Sequence, residues 1–293
     1  MRSSSAFAAG GLCALILGGA FCPAQDEKSA PIYSVTVVSH NLVAINYQHR
    51  TGPTKIDFKG TVLLPYGHGV AVVETKKGRF EIDCKFEHLE SPQRFALEYL
   101  TYVLWAITPE GRAASLGEVV PDASDKAEIR VTTDLPVFGL IVSAEPYFSV
   151  SRPSDVVVLE NEVRRDTVGT VEQVHAKYEL LPREKYTYQV PSPNSASEAN
   201  APKVSMDEYE ALLELYQAQN AVQIARSAGA DQFAPDTYMK AVQLLEQAQE
   251  FQKQKKGARS VVTAARAATE IAEDAREVAT KRHDEENASG GGK

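Results

Sequence analysis

Between Tyr99 and Ile107 nearly every position is aromatic, aliphatic or β-branched, and the run is bounded by the turn signal Pro109-Glu110-Gly111. In an extended chain Tyr99, Thr101, Val103, Trp105 and Ile107 fall on one face, with Leu100, Tyr102, Leu104 and Ala106 on the other. A strand that is apolar on both faces predicts a place in the middle of a sheet, covered on both sides. Elsewhere between positions 31 and 190 the period is two. Phe80, Ile82, Cys84 and Phe86 alternate with Glu81, Asp83, Lys85 and Glu87, and Ala127, Ile129 and Val131 alternate with Glu128, Arg130 and Thr132. Further runs lie at 33–38, 42–47, 56–58, 62–64, 70–73, 137–142 and 156–159, and a last pair at 177–181 and 186–190 flanks Pro182. Turn signals about every ten residues, with no helical period between them, predict an antiparallel all-β sandwich, Ig-like, over 31–190.

The segment 191–204 is a Pro/Ser/Ala linker without periodicity, and it sets the predicted domain boundary. From Ser205 the period changes. Ser205 and Glu208 fit a capping box, in which each side chain satisfies a free backbone donor of the other. Ala211, Leu215, Ala218, Val222 and Ala225 follow at steps of four and three, with Gly229 placed as a C-terminal stop. Pro235 suits the first position of a second helix carrying Tyr238, Ala241, Leu245 and Ala248, which stops near Gly257. Ala264, Ala268, Ile271, Ala275 and Val278 form the seam of a third helix. An alanine-rich three-helix bundle or coiled-coil module is therefore expected over 205–287, with a Gly-rich tail at 288–293. Its seam serves either as the module's own core or as a surface for another chain.

Charge and the chain start narrow the functional classes. The balance of 31 Lys+Arg against 39 Asp+Glu gives a net charge of -8, which argues against a nucleic-acid partner, since phosphate binding rests on clustered basic residues. Arg2, the small apolar run at 6–20 and Cys22-Pro23-Ala24 read as an export signal over 1–24, with cleavage after Ala24. Phe21 fits a lipid-attachment motif at Cys22 poorly, and the apolar run is short for a membrane span of roughly 20 residues. Cleavage leaves Cys84 as the lone cysteine, so no intramolecular disulfide is expected.

Candidate chemistry is sparse. Cys84 and His88 are spaced to share a strand face as a thiolate–imidazole pair, but Cys84 belongs to an apolar file where a free cysteine acts as a small hydrophobe. His40, His49, His68 and His175 are scattered without metal-site spacing. Ser115 and Ser143, with Glu118 and Glu145 near them, are the serines that could be offered as nucleophiles, yet neither has a G-x-S-x-G context or a histidine placed to activate it. Gly67-His68-Gly69 reads as a hairpin and not as a phosphate loop. Lys253, Lys255, Lys256 and Arg259 cluster at a turn between helices, where they could meet an anionic surface or simply be solvated. No catalytic, cofactor-binding or metal residue is assigned, and no enzyme activity is expected.

The blocks YLTYVLWAITPEGRAASLGEV at 99–119 and FGLIVSAEPYFSVSRPSDVVVLEN at 138–161 resemble the exported β-domain at the front of certain OmpA-family envelope proteins. LYQAQNAVQIARSAGADQFAPDTYMKAVQLLEQAQEF at 215–251 is similar to the helical module that accompanies it. The resemblance implies a periplasmic or outer-membrane location and a structural role. The family's peptidoglycan-binding domain would follow the third helix. It is not present in this sequence, so no wall-gripping residue is carried over. The expectation is a non-catalytic envelope protein that docks envelope proteins or a second copy of itself, with the helices as spacer or oligomerisation element. A carbohydrate- or ligand-binding sandwich and a peripheral membrane-surface binder are the alternatives.

Overall fold

The computed structural model describes residues 37–48, 52–165, 167, 170–179 and 205–290. The expected export signal, the linker and the strand at 186–190 lie outside these residues. Ten strands come first: β1 (Val37–Asn46), β2 (Thr54–Gly60), β3 (His68–Lys76), β4 (Arg79–Glu87), β5 (Thr101–Ile107), β6 (Ala113–Val119), β7 (Ala127–Thr133), β8 (Val137–Glu145), β9 (Val157–Glu162) and β10 (Thr170–Glu179). Four helices follow: α1 (Met206–Ser227), the single turn α2 (Ala230–Phe233), α3 (Pro235–Lys253) and α4 (Ala258–Gly290).

The strands do not form a sandwich. Antiparallel pairing runs without interruption through β6, β5, β8, β9, β2, β3, β4 and β7. The two ends of that path then meet: a Cβ on Gly117 of β6 would stand 3.0 Å from Ile129 Cδ1 and 3.4 Å from Val131 Cγ1 of β7. The result is a nearly closed antiparallel barrel, with β1 and β10 added beside β8. The Ig-like expectation fails at β8. That strand is hydrogen-bonded along both edges, to β5 on one side and to β1 and β9 on the other, and so joins into one surface what a sandwich keeps as two. Period-two alternation cannot separate these architectures, because in both of them each strand turns one face to a core.

A branch in the sheet needs its own hydrogen bonding. Val137 and Phe138 of β8 pair with β1, whereas the ladder from Ile141 onward is to β9. At the fork the Leu140 amide donates to Asn161 Oδ1 at 2.8 Å, and Asn161 Nδ2 donates to the Val43 carbonyl at 2.9 Å. One side-chain amide thus satisfies both backbone groups that the divergence frees. Gly139 lies beside the fork, where a Cβ would stand 2.7 Å from Leu42 Cδ2.

Tyr102, Leu104 and Ala106 of β5 and Phe138, Leu140, Val142 and Ala144 of β8 point into the barrel, where Phe58, Ile82, Cys84 and Phe86 meet them. An eight-stranded barrel is just wide enough for side chains to fill. Burying each of the large ones stabilises the fold by roughly 1.5–3 kcal/mol. The run at 62–64, expected to extend as a strand, is a turn. Leu64 and Gly67 donate to the carbonyls of Thr61 and Leu64, and a Cβ on Gly60 would lie only 2.0 Å from Leu64 O. Gly60 and Gly67 make this tight return passable, and Leu64 closes the barrel end.

The barrel's outer surface has two characters. Across β3, β4 and β7 it is wet and laced by the pairs Lys85–Glu128, Arg130–Asp83 and Arg79–Asp134. Over β5 and β8 it is dry. Val103, Trp105, Ile107 and Ile141 pack against Ala221, Ala225, Ala241, Ala272 and Ala275 of the helices. The second cover that the two-faced apolar strand demanded is the helical layer. Ser205 caps α1 with the expected reciprocal box, Gly229 follows in a left-handed conformation at φ 80°, and Pro235 opens α3. The α4 seam is carried by Ala265, Ala268, Ala272, Ala275 and Ala279, while the anticipated Val278 is exposed.

Candidate functional site

The polar groups that stand out lie where β5, β6 and β8 meet α1 and α4. On β8, Ser143 and Glu145 follow Ile141 on the outward face and are fully buried by the helical layer. Trp105 Nε1 donates to Ser143 Oγ at 2.8 Å, and Ser143 Oγ in turn donates to Glu145 Oε1. The Ser154 amide also donates to Glu145 Oε1, at 2.7 Å. Glu145 Oε2 has no hydrogen-bond partner among the described groups. Burial pushes the Glu145 carboxyl up to about 8; the bonds from Ser143 and Ser154 offset part of the rise and the Glu273 carboxylate adds to it.

Glu273 of α4 lies in the same interface with different support. Arg276 grips it in a fork, Nε to Oε2 and Nη2 to Oε1, both at 2.7 Å. Tyr147 hydroxyl donates to Oε2 at 2.6 Å and the Ser151 amide to Oε1 at 2.8 Å. Burial alone would raise the Glu273 carboxyl, but Arg276, Tyr147 and Ser151 hold it below its usual value. A third group sits beside these. Arg266 bonds both Glu118 of β6 and Glu214 of α1, and its guanidinium stacks 3.7 Å above the Phe148 ring. Burial raises Glu214 to about 7, with Glu118 adding to the rise and Arg266 opposing it. Gln217 donates to Glu118 Oε1 and accepts from the Phe148 amide, and Asn220 Nδ2 reaches the carbonyls of Glu98 and Pro146.

The structure brings Ser143 and Glu145 together, but not with a histidine. Their setting is that of a buried structural bond. Ser115 is exposed on β6, and Glu118 faces the helices. Cys84 points into the barrel with its thiol pushed well up by burial, whereas His88 lies past the strand end at φ 53°, its ring 5.3 Å from that of His68. The two therefore do not share a site, since the backbone turns after Glu87. His40 and His175 fall on β1 and β10, and His49 lies outside the described residues. Gly67-His68-Gly69 enters β3, with the Gly69 position closed against Lys85 O and Phe86. Lys253, Lys255, Lys256 and Arg259 are exposed, and Lys256 Nζ rests 4.8 Å from the Phe251 ring centroid.

Sequence reasoning passed over Glu214, Gln217, Asn220, Glu273 and Arg276. Their signal was position: Glu214 precedes Leu215 on α1, and Glu273 lies between the seam alanines Ala272 and Ala275 of α4. It also missed the loop at 61–67. That loop is fixed by its own hydrogen bonds, with Thr61 Oγ1 donating to Val157 O at 2.8 Å. It nevertheless presents Val62 and Tyr66 at 94% and 78% exposure.

Comparison of the chain with protein-family models, with curated proteins and with solved structures found no match. Nothing in these comparisons links it to the OmpA family. Among the described residues no helix is long and apolar enough to cross a membrane, and no group of three His, Cys, Asp or Glu side chains is placed to hold a metal ion.

Proposed function

We propose that the chain is a non-catalytic structural and interaction protein of the cell envelope, whose barrel docks a protein partner through the rigid loop at 61–67. The observation that carries this reading is the contrast within that loop. Leu64 is buried in the barrel end, while Val62 and Tyr66 stand exposed on a backbone already fixed by its own bonds. Large apolar groups held rigidly in water give up little conformational entropy when a partner pocket covers them. An aliphatic and an aromatic residue held on one short, fixed loop suit such a pocket. The net charge of -8 favours a protein over an anionic lipid surface or nucleic acid. The packed interior favours a body that presents its outside over one that carries a ligand inside. The envelope location rests on the composition of positions 1–24 and not on the fold.

The test is fractionation of native cells. The reading expects the protein in the membrane or wall pellet, released by salt or mild detergent. It also expects a Val62→Glu, Tyr66→Ser double variant in the soluble fraction with its Tm unchanged. Identical fractionation of the two proteins would refute the docking loop.

A further inference from the structure

The buried acids between barrel and helices have one use beyond holding the fold together. We propose that the helical layer is held to the barrel by a proton-dependent latch centred on Glu145, closed while that carboxyl keeps its proton and loosened when it ionises.

The interface holds fewer guanidiniums than carboxylates, and each guanidinium is already committed. Arg276 commits Nε and Nη2 to the two oxygens of Glu273, and Nη2 also reaches Ser151 Oγ at 2.9 Å. Arg266 is shared by Glu118 and Glu214. The four interface carboxylates Glu118, Glu145, Glu214 and Glu273 thus meet two guanidiniums, and neither of these bonds Glu145. Glu160 of β9 stands opposite Ile141 on the same face, and Arg152 and Asp155 lie in the connection between β8 and β9. Asp231, Asp236 and Lys240 on α2 and α3 are exposed.

With its proton, Glu145 is a neutral acid that accepts from Ser143 and Ser154 at Oε1, and burying it costs far less than burying the charge. Without it, a full charge is buried beside the ionised Glu273. A buried charge lacking a counter-ion is costly, and moving the helices away so that water enters relieves that cost.

The sign follows from linkage. The carboxyl sits at about 8 in the docked state, against roughly 4.3 for a solvated glutamate. Its contribution to docking is fully present below the solvated value and is lost as pH rises through the docked one. The helix-opening equilibrium, corrected for intrinsic exchange, therefore increases roughly tenfold per pH unit from about pH 5 to about pH 7 and levels off above about pH 8. Opening uncovers Val103, Trp105, Ile107 and Ile141, so the sole tryptophan of the chain reports it.

The experiment uses the full chain. Amide exchange of α1 and α4 and Trp105 emission are followed between about pH 5 and pH 9, for the native protein and for Glu145→Gln, which keeps the accepted bonds and cannot ionise. The proposal expects exchange to rise and emission to shift red in the native protein up to about pH 8; in the variant the step near pH 8 is absent, and only the smaller step from Glu214, raised to about 7, remains. A native protein without that step, or a variant that retains it, would overturn the latch. Infrared spectra give an independent check. The protonated-carboxyl band at about pH 6 should lose the part that titrates near 8 on Glu145→Gln, leaving the part from Glu214, and an unchanged band would equally overturn the proposal.

Discussion

The Tyr147 hydroxyl donates to Glu273 Oε2 at 2.6 Å, joining the connection after β8 to the middle of α4 across 126 positions of sequence. The bond is buried, and the same carboxylate is forked by Arg276. Barrel and helices are therefore tied by hydrogen bonds as well as by apolar packing, and breaking one tie should be felt on both sides.

Tyr147→Phe removes a donor but leaves Glu273 held by Arg276 and Ser151. The expected loss is about 1.5–3 kcal/mol, the contribution of a hydrogen bond to a charged group, and falls toward the lower end because the acceptor keeps other partners. Urea unfolding with an unchanged m-value measures it.

Arg276→Ala strands the Glu273 carboxylate in a site only 6% exposed at the side chain. Removing one partner of a buried pair costs roughly 3–5 kcal/mol. An Arg276→Met, Glu273→Leu double variant should lose much less than the sum of the two single variants. A double-mutant cycle by chemical denaturation tests this, and additive losses would count against the pair.

Asn161→Leu leaves the Leu140 amide and the Val43 carbonyl without the partner that bridges the fork. Each unsatisfied buried group costs about 1–3 kcal/mol, so the variant should be among the least stable single replacements in the barrel. Amide exchange should localise the damage to β1, β8 and β9.

Cys84 is buried in the barrel with its thiol raised by desolvation. A thiol reagent at neutral pH should leave it unmodified in the native protein and label it fully in denaturant. Rapid native labelling would mean that the barrel opens locally.

Much of this was legible in sequence, for identifiable reasons. Val103 and Trp105 on one face of β5, with Tyr102 and Leu104 on the other, required two covers, and Ser205, Gly229 and Pro235 set the helix ends by local chemistry. The nature of the second cover was not legible. Ala221 and Ala272 can serve equally as a bundle core or as a contact with a sheet, and the choice depends on residues more than 100 positions away. The barrel was misread for a related reason, since the pairings of β5 with β8 and of β2 with β9 are nonlocal and leave period two unchanged. The interface network went unread because Glu145 and Glu273 look like ordinary surface acids until their neighbours are known. Glu145 did leave a trace, as the single acid between Phe138 and Val150 in an otherwise apolar and small run.

The central claim is that barrel and helices form one cooperative body through this interface. Its most direct test is chemical unfolding at about pH 6, followed at once by Trp105 fluorescence for the interface and far-ultraviolet circular dichroism for the helices. The account predicts one transition with coincident midpoints. Helices that melt at lower denaturant while Trp105 remains in its native environment would contradict it.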